Sequence, residues 1–419
     1  MLLIGAFVLL VFVYSLVSQR LARTVLTAPI LFTAAGALMS CLPEAMREVG
    51  IDRGGLLLVA ELGLVMTLFT DASRVAPRML RGTPNLPARL LTTGMLLTIV
   101  LGAACAMVVP GGLSWWEAGI VAAILAPTDA GLGQVIVNSP QVPLRVRQAL
   151  NVEAGLNDGL SVPFLLFFIA LAVSQGAGTN STAVLSAFLF EQLGLGTAIG
   201  VGIGLAGGWL LGLARRSGWM APPLAQLGVV ALPLACVIAS EAAGASMFIA
   251  AFVAGLAAQA GFRDVATHSV EFAEDWGQIF NFFVFFIFGL LVAQAWSDFS
   301  PAVVIYAVVS LTLIRMVPVA IALRGTGLGS ATVLFMGWFG PRGLASIVLG
   351  LVYLEQEARL PGEATIRLVV MATVLVSILA HGLTAVPGIR RYAAAVAGLP
   401  RTAPEHATTG DDSDRAGTG

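Results

Sequence analysis

Long apolar runs dominate this sequence and leave it few ways to fold. About thirteen of them lie near residues 2–18, 25–40, 54–71, 89–109, 116–137, 146–173, 190–213, 223–240, 245–259, 275–296, 301–323, 329–354 and 365–388. A helix needs about 20 predominantly apolar residues to cross the hydrocarbon core of a bilayer. Backbone polar groups in lipid must be satisfied within the protein, so only helices and closed barrels span it. The runs are too long and too uniformly apolar for barrel strands, which alternate over about 10 residues. Composition agrees: 58% of the 419 residues are hydrophobic and only 11% charged, with mean hydropathy +0.92, against about 25% charged in soluble domains. The expectation is an all-α polytopic membrane protein of about 13 transmembrane helices, occupying residues 1–390.

Loop charge gives an orientation. All 22 basic residues are Arg. The odd-numbered loops carry Arg20, Arg23, Arg74, Arg78, Arg81, Arg89, Arg145, Arg147, Arg215, Arg216, Arg263 and Arg324, and Arg390 and Arg391 follow the last span. The even-numbered loops hold fewer, Arg47, Arg53, Arg359 and Arg367, together with Glu44, Glu48, Asp52, Glu241, Asp298, Glu355, Glu357 and Glu363. The positive-inside rule then places the amino end outside a plasma membrane and the carboxyl end in the cytoplasm. Residues 1–18 also admit reading as a cleaved signal peptide, but they lack a basic leading region, which favours a retained helix. Residues 400–419 are polar and rich in Gly and Thr, and are expected to form a disordered cytoplasmic tail. Three scattered cysteines suggest neither a disulfide framework nor a metal motif. A net charge of -1 points to no nucleic-acid partner.

Against this background the charges inside the spans stand out. A carboxylate at the centre of a membrane helix costs about 2.5–3.5 kcal/mol on insertion scales. The fifth and sixth spans hold three, Asp129, Glu153 and Asp158, with Thr128, Asn157 and Ser161 close by in sequence. Pro127, Gly131 and Gly133 interrupt the fifth span around Asp129. Proline removes a backbone donor and clashes with the preceding turn. In a membrane such a break survives only against protein or a wet cavity. The twelfth span breaks likewise at Gly340-Pro341-Arg342-Gly343. Paired breaks in corresponding parts of two halves point to an inverted-repeat transporter. Arg315, alone in the eleventh span, needs a partner, and Glu153 is the natural candidate. Glu61 in the third span reads equally as a structural carboxylate or as part of an ion route. Asp71 reads as a surface group at the end of that helix. His381 reads first as a hydrogen-bonded core residue and second as a proton relay. The glycines of the seventh span read as close helix contact, and the phenylalanines from Phe282 to Phe288 as core or lipid-facing bulk.

These residues carry a resemblance. Thr128-Asp129, the run from Glu153 to Asn157-Asp158-Gly159, Arg315 and Pro341-Arg342-Gly343 occur in this order on successive spans. In these the chain resembles the monovalent cation:proton antiporters, in the branch of the NhaP-type sodium/proton antiporters and the animal sodium/proton exchangers. The resemblance covers about residues 1–390. It implies two inverted repeats whose broken fifth and twelfth helices cross. It implies a transport core of about 86–175 and 300–390, beside a dimerising scaffold of about 1–85 and 190–297. By the same resemblance Asp158 binds either cation or proton, Asp129 and Thr128 complete the site, and Glu153 and Arg315 form a structural ion pair. Asn157 stands where electrogenic relatives have a second Asp, which implies electroneutral exchange. One departure is Ala154, where the family commonly has a Ser that supplies a ligand oxygen.

A mechanism follows. A buried carboxylate is neutralised by a proton or by a cation, and a core that crosses the membrane only when neutral couples the two fluxes. Hard oxygen ligands suit Na⁺ or Li⁺, and a larger cavity admits K⁺. The expected function is therefore antiport of Na⁺, Li⁺ or K⁺ against H⁺ by a homodimer in the lipid bilayer, without a cofactor. The alternatives are a sodium-coupled solute symporter or an ion channel on a similar broken-helix core. An enzyme is disfavoured, because His268, His381 and His406 are scattered and show no metal-binding spacing.

Overall fold

The computed structural model describes residues 2–21, 24–41, 53–74, 86–177, 186, 188–262, 268–355, 360–400 and 402–406. Among the described residues there are helices and no strands. The loop residues Arg23, Glu44, Arg47, Glu48, Asp52, Arg78, Arg81, Arg263, Glu357 and Arg359, and tail residues 401 and 407–419, lie outside them. In chain order the helices are α1 (Leu2–Leu21), α2 (Ala28–Met39), α3 (Arg53–Arg74), α4 (Leu86–Val108, with a π-helical stretch at Leu90–Gly94), α5 (Trp115–Leu125) and α6 (Ala130–Val137). Then come α7 (Leu144–Ala177), α8 (Gly196–Arg216), α9 (Pro222–Ala243), α10 (Met247–Ala258), α11 (His268–Gln294), α12 (Pro301–Leu311), α13 (Leu313–Ala322), α14 (Ser330–Trp338), α15 (Leu344–Glu355) and α16 (Glu363–Val396). Each apolar run of the sequence holds a described helix, and among the described residues nine helices are long and apolar enough to cross a membrane.

Small residues set how closely the helices approach. Gly200, Gly204, Gly208 and Gly212 recur every four residues along one face of α8, and a Cβ on any of them would press on the carbonyl of Ala250, Ala254, Ala258 or Gly261. That face belongs against α10, as small-residue stripes do in membrane packing. Gly36 of α2 and Gly289 of α11 repeat the device, each seated on a carbonyl of the other helix, at Phe286 and Thr33. Rings of Phe7, Tyr14, Phe32, Phe282, Phe283 and Phe286 fill the space around that crossing, with Phe32 and Phe282 stacked at 4.5 Å. Part of the phenylalanine run of α11 is therefore core.

Two groups of spans share a pattern. Helix, broken helix and helix follow each other in α4, α5/α6 and α7, and again in α12/α13, α14/α15 and α16. The two groups interlock: the hydroxyl of Tyr306 on α12 donates to the carbonyl of Gly102 on α4 at 3.1 Å. The second group has an interruption that the sequence reading missed. The eleventh span bends at Thr312, where φ is -104° and ψ -90°, between α12 and α13. Its hydroxyl bonds back to the Val308 carbonyl at 2.7 Å, a bond that commonly bends helices. Arg89 then holds the far end of α13, donating to the carbonyls of Ala322 and Arg324.

Within the expected tail of residues 400–419, residues 402–406 are described and docked, and Pro404–His406 form a short 3-10 turn. Glu405 is 2% exposed. Composition describes how a segment would behave alone, and this one is held by tertiary partners.

Candidate functional site

Both broken spans stop where their sequences demand it. α5 starts with Ser114, whose hydroxyl accepts from the Glu117 amide while the Glu117 carboxylate accepts from the Ser114 amide. This is a complete capping box. Pro127 then disfavours helical backbone just before it. α14 ends before Gly340 and Pro341. Four half-helix ends therefore meet in the middle of the protein, each with exposed backbone dipoles.

Side chains from the breaks satisfy them reciprocally. Asp129 accepts from the Leu132 amide at 2.7 Å and from the Leu344 amide at 2.5 Å, so one carboxylate caps both α6 and α15. The Asp129 amide donates to the Pro341 carbonyl at 2.7 Å. Arg342 donates to the carbonyls of Ala126 and Pro127, neutralising the end of α5. His381 Nε2 lies 2.9 Å from the Trp338 carbonyl at the end of α14, and its Nδ1 lies beside Ser377. Gly340 and Gly343 leave room for this: a Cβ on Gly343 would collide with the Asp129 carboxylate, and one on Gly340 with the Arg315 guanidinium.

Glu153 and Arg315 form a bidentate pair, with Nη1 to Oε1 at 2.5 Å and Nη2 to Oε2 at 2.9 Å. Both are buried. If ionised, Asp129, Glu153 and Asp158 carry three negative charges against two positive on Arg315 and Arg342. The guanidiniums engage Glu153 and the α5 carbonyls, and Asp129 engages amides. Asp158 is left as the carboxylate without such a partner. It is 4% exposed, and its Oδ1 meets no hydrogen-bond donor among the described residues. Such an oxygen is costly unless something fills it.

Asp158 and Asp129 border a cavity of about 480 Å³, which also meets Thr67, Thr70, Asp71 and Asn281. Thr128 and Asn157 are buried and do not line it. Asn157 Nδ2 donates to Thr128 Oγ1 at 2.7 Å, and the Asn157 Oδ1 meets no donor among the described residues. Ser161 turns its hydroxyl onto the Asp158 carbonyl of its own helix at 2.8 Å. Glu61 and His381 are not on the cavity wall. Asp71, read from sequence as a surface group, is on it, packed over Gly155 with its Cβ 3.3 Å from where a Cβ there would sit. The missed signal was Thr67, Thr70 and Asp71 at helical spacing near one end of α3. Phe252 of α10 packs over Gly159, so the residue after Asp158 has no room for a side chain.

Comparison with known proteins agrees with this architecture. A family model described as "Sodium/hydrogen exchanger, transmembrane" matches residues 6–390. The K(+)/H(+) antiporter NhaP of Alkalimonas amylolytica is 26% identical over 399 residues, 93% of this chain and 66% of that protein. The Na(+)/H(+) antiporter 2 of Zygosaccharomyces rouxii is 24% identical over 271 residues, 61% of this chain and 33% of that protein. The chain thus spans two-thirds or less of the length of these curated relatives. The sodium proton antiporter MjNhaP1 from Methanocaldococcus jannaschii at pH 8 superposes with a TM-score of 0.69 at 19% identity, covering 91% of this chain and 99% of that one. The two share a fold.

Proposed function

The chain belongs to the sodium/hydrogen exchanger family of membrane transporters, and from that premise we propose that it exchanges one monovalent cation for one proton at Asp158. The observation that carries the reading is the buried Asp158 carboxylate, with an oxygen that no donor among the described residues meets, on the wall of a cavity. A proton or a monovalent cation neutralises it equally well. At the crossing Asp129, Glu153 and Asp158 face Arg315 and Arg342, and one proton or one cation on Asp158 matches the single carboxylate left without a guanidinium or amide partner, so exchange is one for one and electroneutral. Na⁺ is the proposed cation. Li⁺ and K⁺ compete for the same oxygen site, and both Na⁺ and K⁺ stand in the names of the relatives.

The Asn157 oxygen and Asp71 extend the proposed site. Asp71 is placed to supply the oxygen that Ala154 lacks, since it packs over the adjacent Gly155. Thr128 acts by holding Asn157. Asp129 lends the ion its remaining lone pairs while it caps two helices. The cavity wall includes Leu21, Thr24 and Ser139, at helix ends beside the basic loops. With the amino end outside and the carboxyl end inside, this is an inward-open state of a plasma-membrane protein. Alternating access then moves the core, about 86–175 and 300–390, against a dimeric scaffold, about 1–85 and 190–297. Exposed Ile4, Val8, Leu9, Phe12 and Leu16 on α1 suit lipid or a second copy.

Proton flux in proteoliposomes, with Na⁺, Li⁺ and K⁺ offered separately and no organic solute present, tests this. Flux driven by at least one cation and indifferent to membrane potential is expected. Flux that needs a solute would favour a symporter, and ungated conductance a channel.

A further inference from the structure

α14 leads into the second break, and its first turn lacks a cap of its own. The N-cap residue is Gly329, which has no side chain to offer. A helix start leaves backbone amides without intrahelical partners. Here the carboxylate comes from 76 residues further along the chain. Glu405 Oε1 accepts from the Gly329 amide at 2.8 Å and from the Thr332 hydroxyl at 3.0 Å. Thr332 in turn lies 3.1 Å from the Tyr392 hydroxyl on α16, and the Tyr392 ring stacks on Phe335 of α14 at 4.1 Å. The neighbouring Pro404 carbonyl accepts from Arg145 at the start of α7 at 2.5 Å. A five-residue segment thus joins the ends of three helices. Its glutamate plays toward Gly329 the part that Glu117 plays toward Ser114 at the start of the first broken span.

We propose that Glu405 is a positioning residue for transport: it caps α14 from outside that helix and so sets where the second break, with Arg342 and Gly343, lies against Asp129. The chain of contacts is short. α14 is held at its start by Glu405 and at its end by His381 on the Trp338 carbonyl. The next residues deliver the Pro341 carbonyl to the Asp129 amide and Arg342 to α5. A shift of α14 along its axis therefore reaches the wall on which Asp158 sits. The ionisable groups facing Glu405 are Arg145 on α7, Tyr392 on α16 and His406 on its own segment. The effect on transport rests on the exchange function proposed above, but the cap does not.

Two readouts separate them. Amide hydrogen exchange at residues 329–333 should rise at least severalfold in Glu405→Ala, whether or not the protein transports anything, and fall back in Glu405→Gln, whose amide oxygen accepts the same two bonds. Unchanged protection in Glu405→Ala overturns the cap. In proteoliposomes Glu405→Ala should shift the half-saturating cation concentration and the half-maximal proton concentration of exchange severalfold, with Glu405→Gln restoring both. A strut that matters only for folding would lower thermal stability and yield while leaving both midpoints unmoved, and that result overturns the positioning role. If the wild type shows no cation-driven flux, the exchange reading fails and the amide measurement still decides the cap.

Discussion

The two broken spans solve one problem with opposite chemistry. The first brings an acid to the crossing, Asp129, and uses it to cap two helix starts. The second brings a base, Arg342, and uses it to cap a helix end. Negative charge belongs near helix starts and positive charge near helix ends, so each break supplies what the other lacks. Their outer ends differ too. α5 carries its own capping box, whereas α14 borrows a carboxylate. The outer start of the first span is capped from within its own turn, and that of the second from a residue distant in sequence. A carboxylate committed to backbone differs from one left open, and that separates Asp129 from Asp158.

The largest expected effect breaks that last distinction. Asp158→Asn removes the group that takes cation or proton and touches no cap. Exchange should fall by at least about 100-fold, equivalent to about 2.7 kcal/mol in the rate, with thermal stability kept. Substantial cation-driven flux from purified Asp158→Asn would remove Asp158 from the mechanism. On stability, as distinct from transport, the largest expected effect comes from the pair that ties α7 beside the first break to α13 beside the second. Glu153→Gln or Arg315→Met leaves an uncompensated buried charge and should cost about 3–5 kcal/mol. The double variant should recover part of it. Strictly additive losses in the double-mutant cycle would mean that the bidentate contact carries no coupling.

Asp129→Asn comes third. Asn offers one acceptor oxygen where two amides now bond to two, so one amide loses its partner at a cost of about 1–3 kcal/mol. Stability should fall together with cation affinity, unlike the Asp158 variant. A stable Asp129→Asn protein with weakened cation binding alone would make Asp129 a ligand first and a cap second.

What the sequence made legible follows from what is local. Apolar run length marked the spans, and Pro127 and Gly340-Pro341 marked the breaks, because proline and glycine act on their own backbone. The charges of the sixth and eleventh spans were visible because lipid makes them costly. Partners were harder. Asp129 could be placed at a break, but not on the Leu344 amide 215 residues away. His381 could be read as a core histidine, but not as the cap of α14. Asp71 lies at a helix end, and only the fold shows that this end borders the cavity. Glu405 sits in a stretch whose composition reads as solvated, and the carboxylate's destination is set by Gly329 and Thr332. The bend at Thr312 has no proline at the position to announce it.

A smaller effect sharpens the comparison of the outer ends. Glu117 accepts from the Ser114 amide at 2.8 Å and from the Gly362 amide at 2.7 Å, joining the start of α5 to the start of α16. Losing a helix cap costs about 0.5–2 kcal/mol. Glu117→Ala should cost that much, because the Ser114 hydroxyl stays to cap the same turn. Local protection at the start of α14 should suffer more from Glu405→Ala than protection at the start of α5 does from Glu117→Ala. The reverse ranking in amide hydrogen exchange would show that the borrowed cap is the dispensable one.

The smallest expected effect concerns pH, and its sign is fixed by the surroundings of Glu405. Burial alone would favour the neutral acid, but the Gly329 amide, the residue's own amide, the Thr332 hydroxyl and the nearby His406 outweigh it and hold the carboxyl below its ordinary value of 4.5. A group whose folded value is depressed adds stability that is complete above its unfolded value and is lost as pH falls through the lower folded one. The cap should therefore stay closed across the neutral and alkaline range, and open only in acid below the ordinary glutamate value. Any response of transport to pH between 6 and 9 must then arise at another group. A fluorophore on Thr402→Cys would report docking of the segment as pH is scanned. A flat signal from pH 9 down to about 5, with release only below that, is the expected trace. Release centred near neutrality would make the segment a pH sensor and would take the neutral-range response away from the site at the crossing.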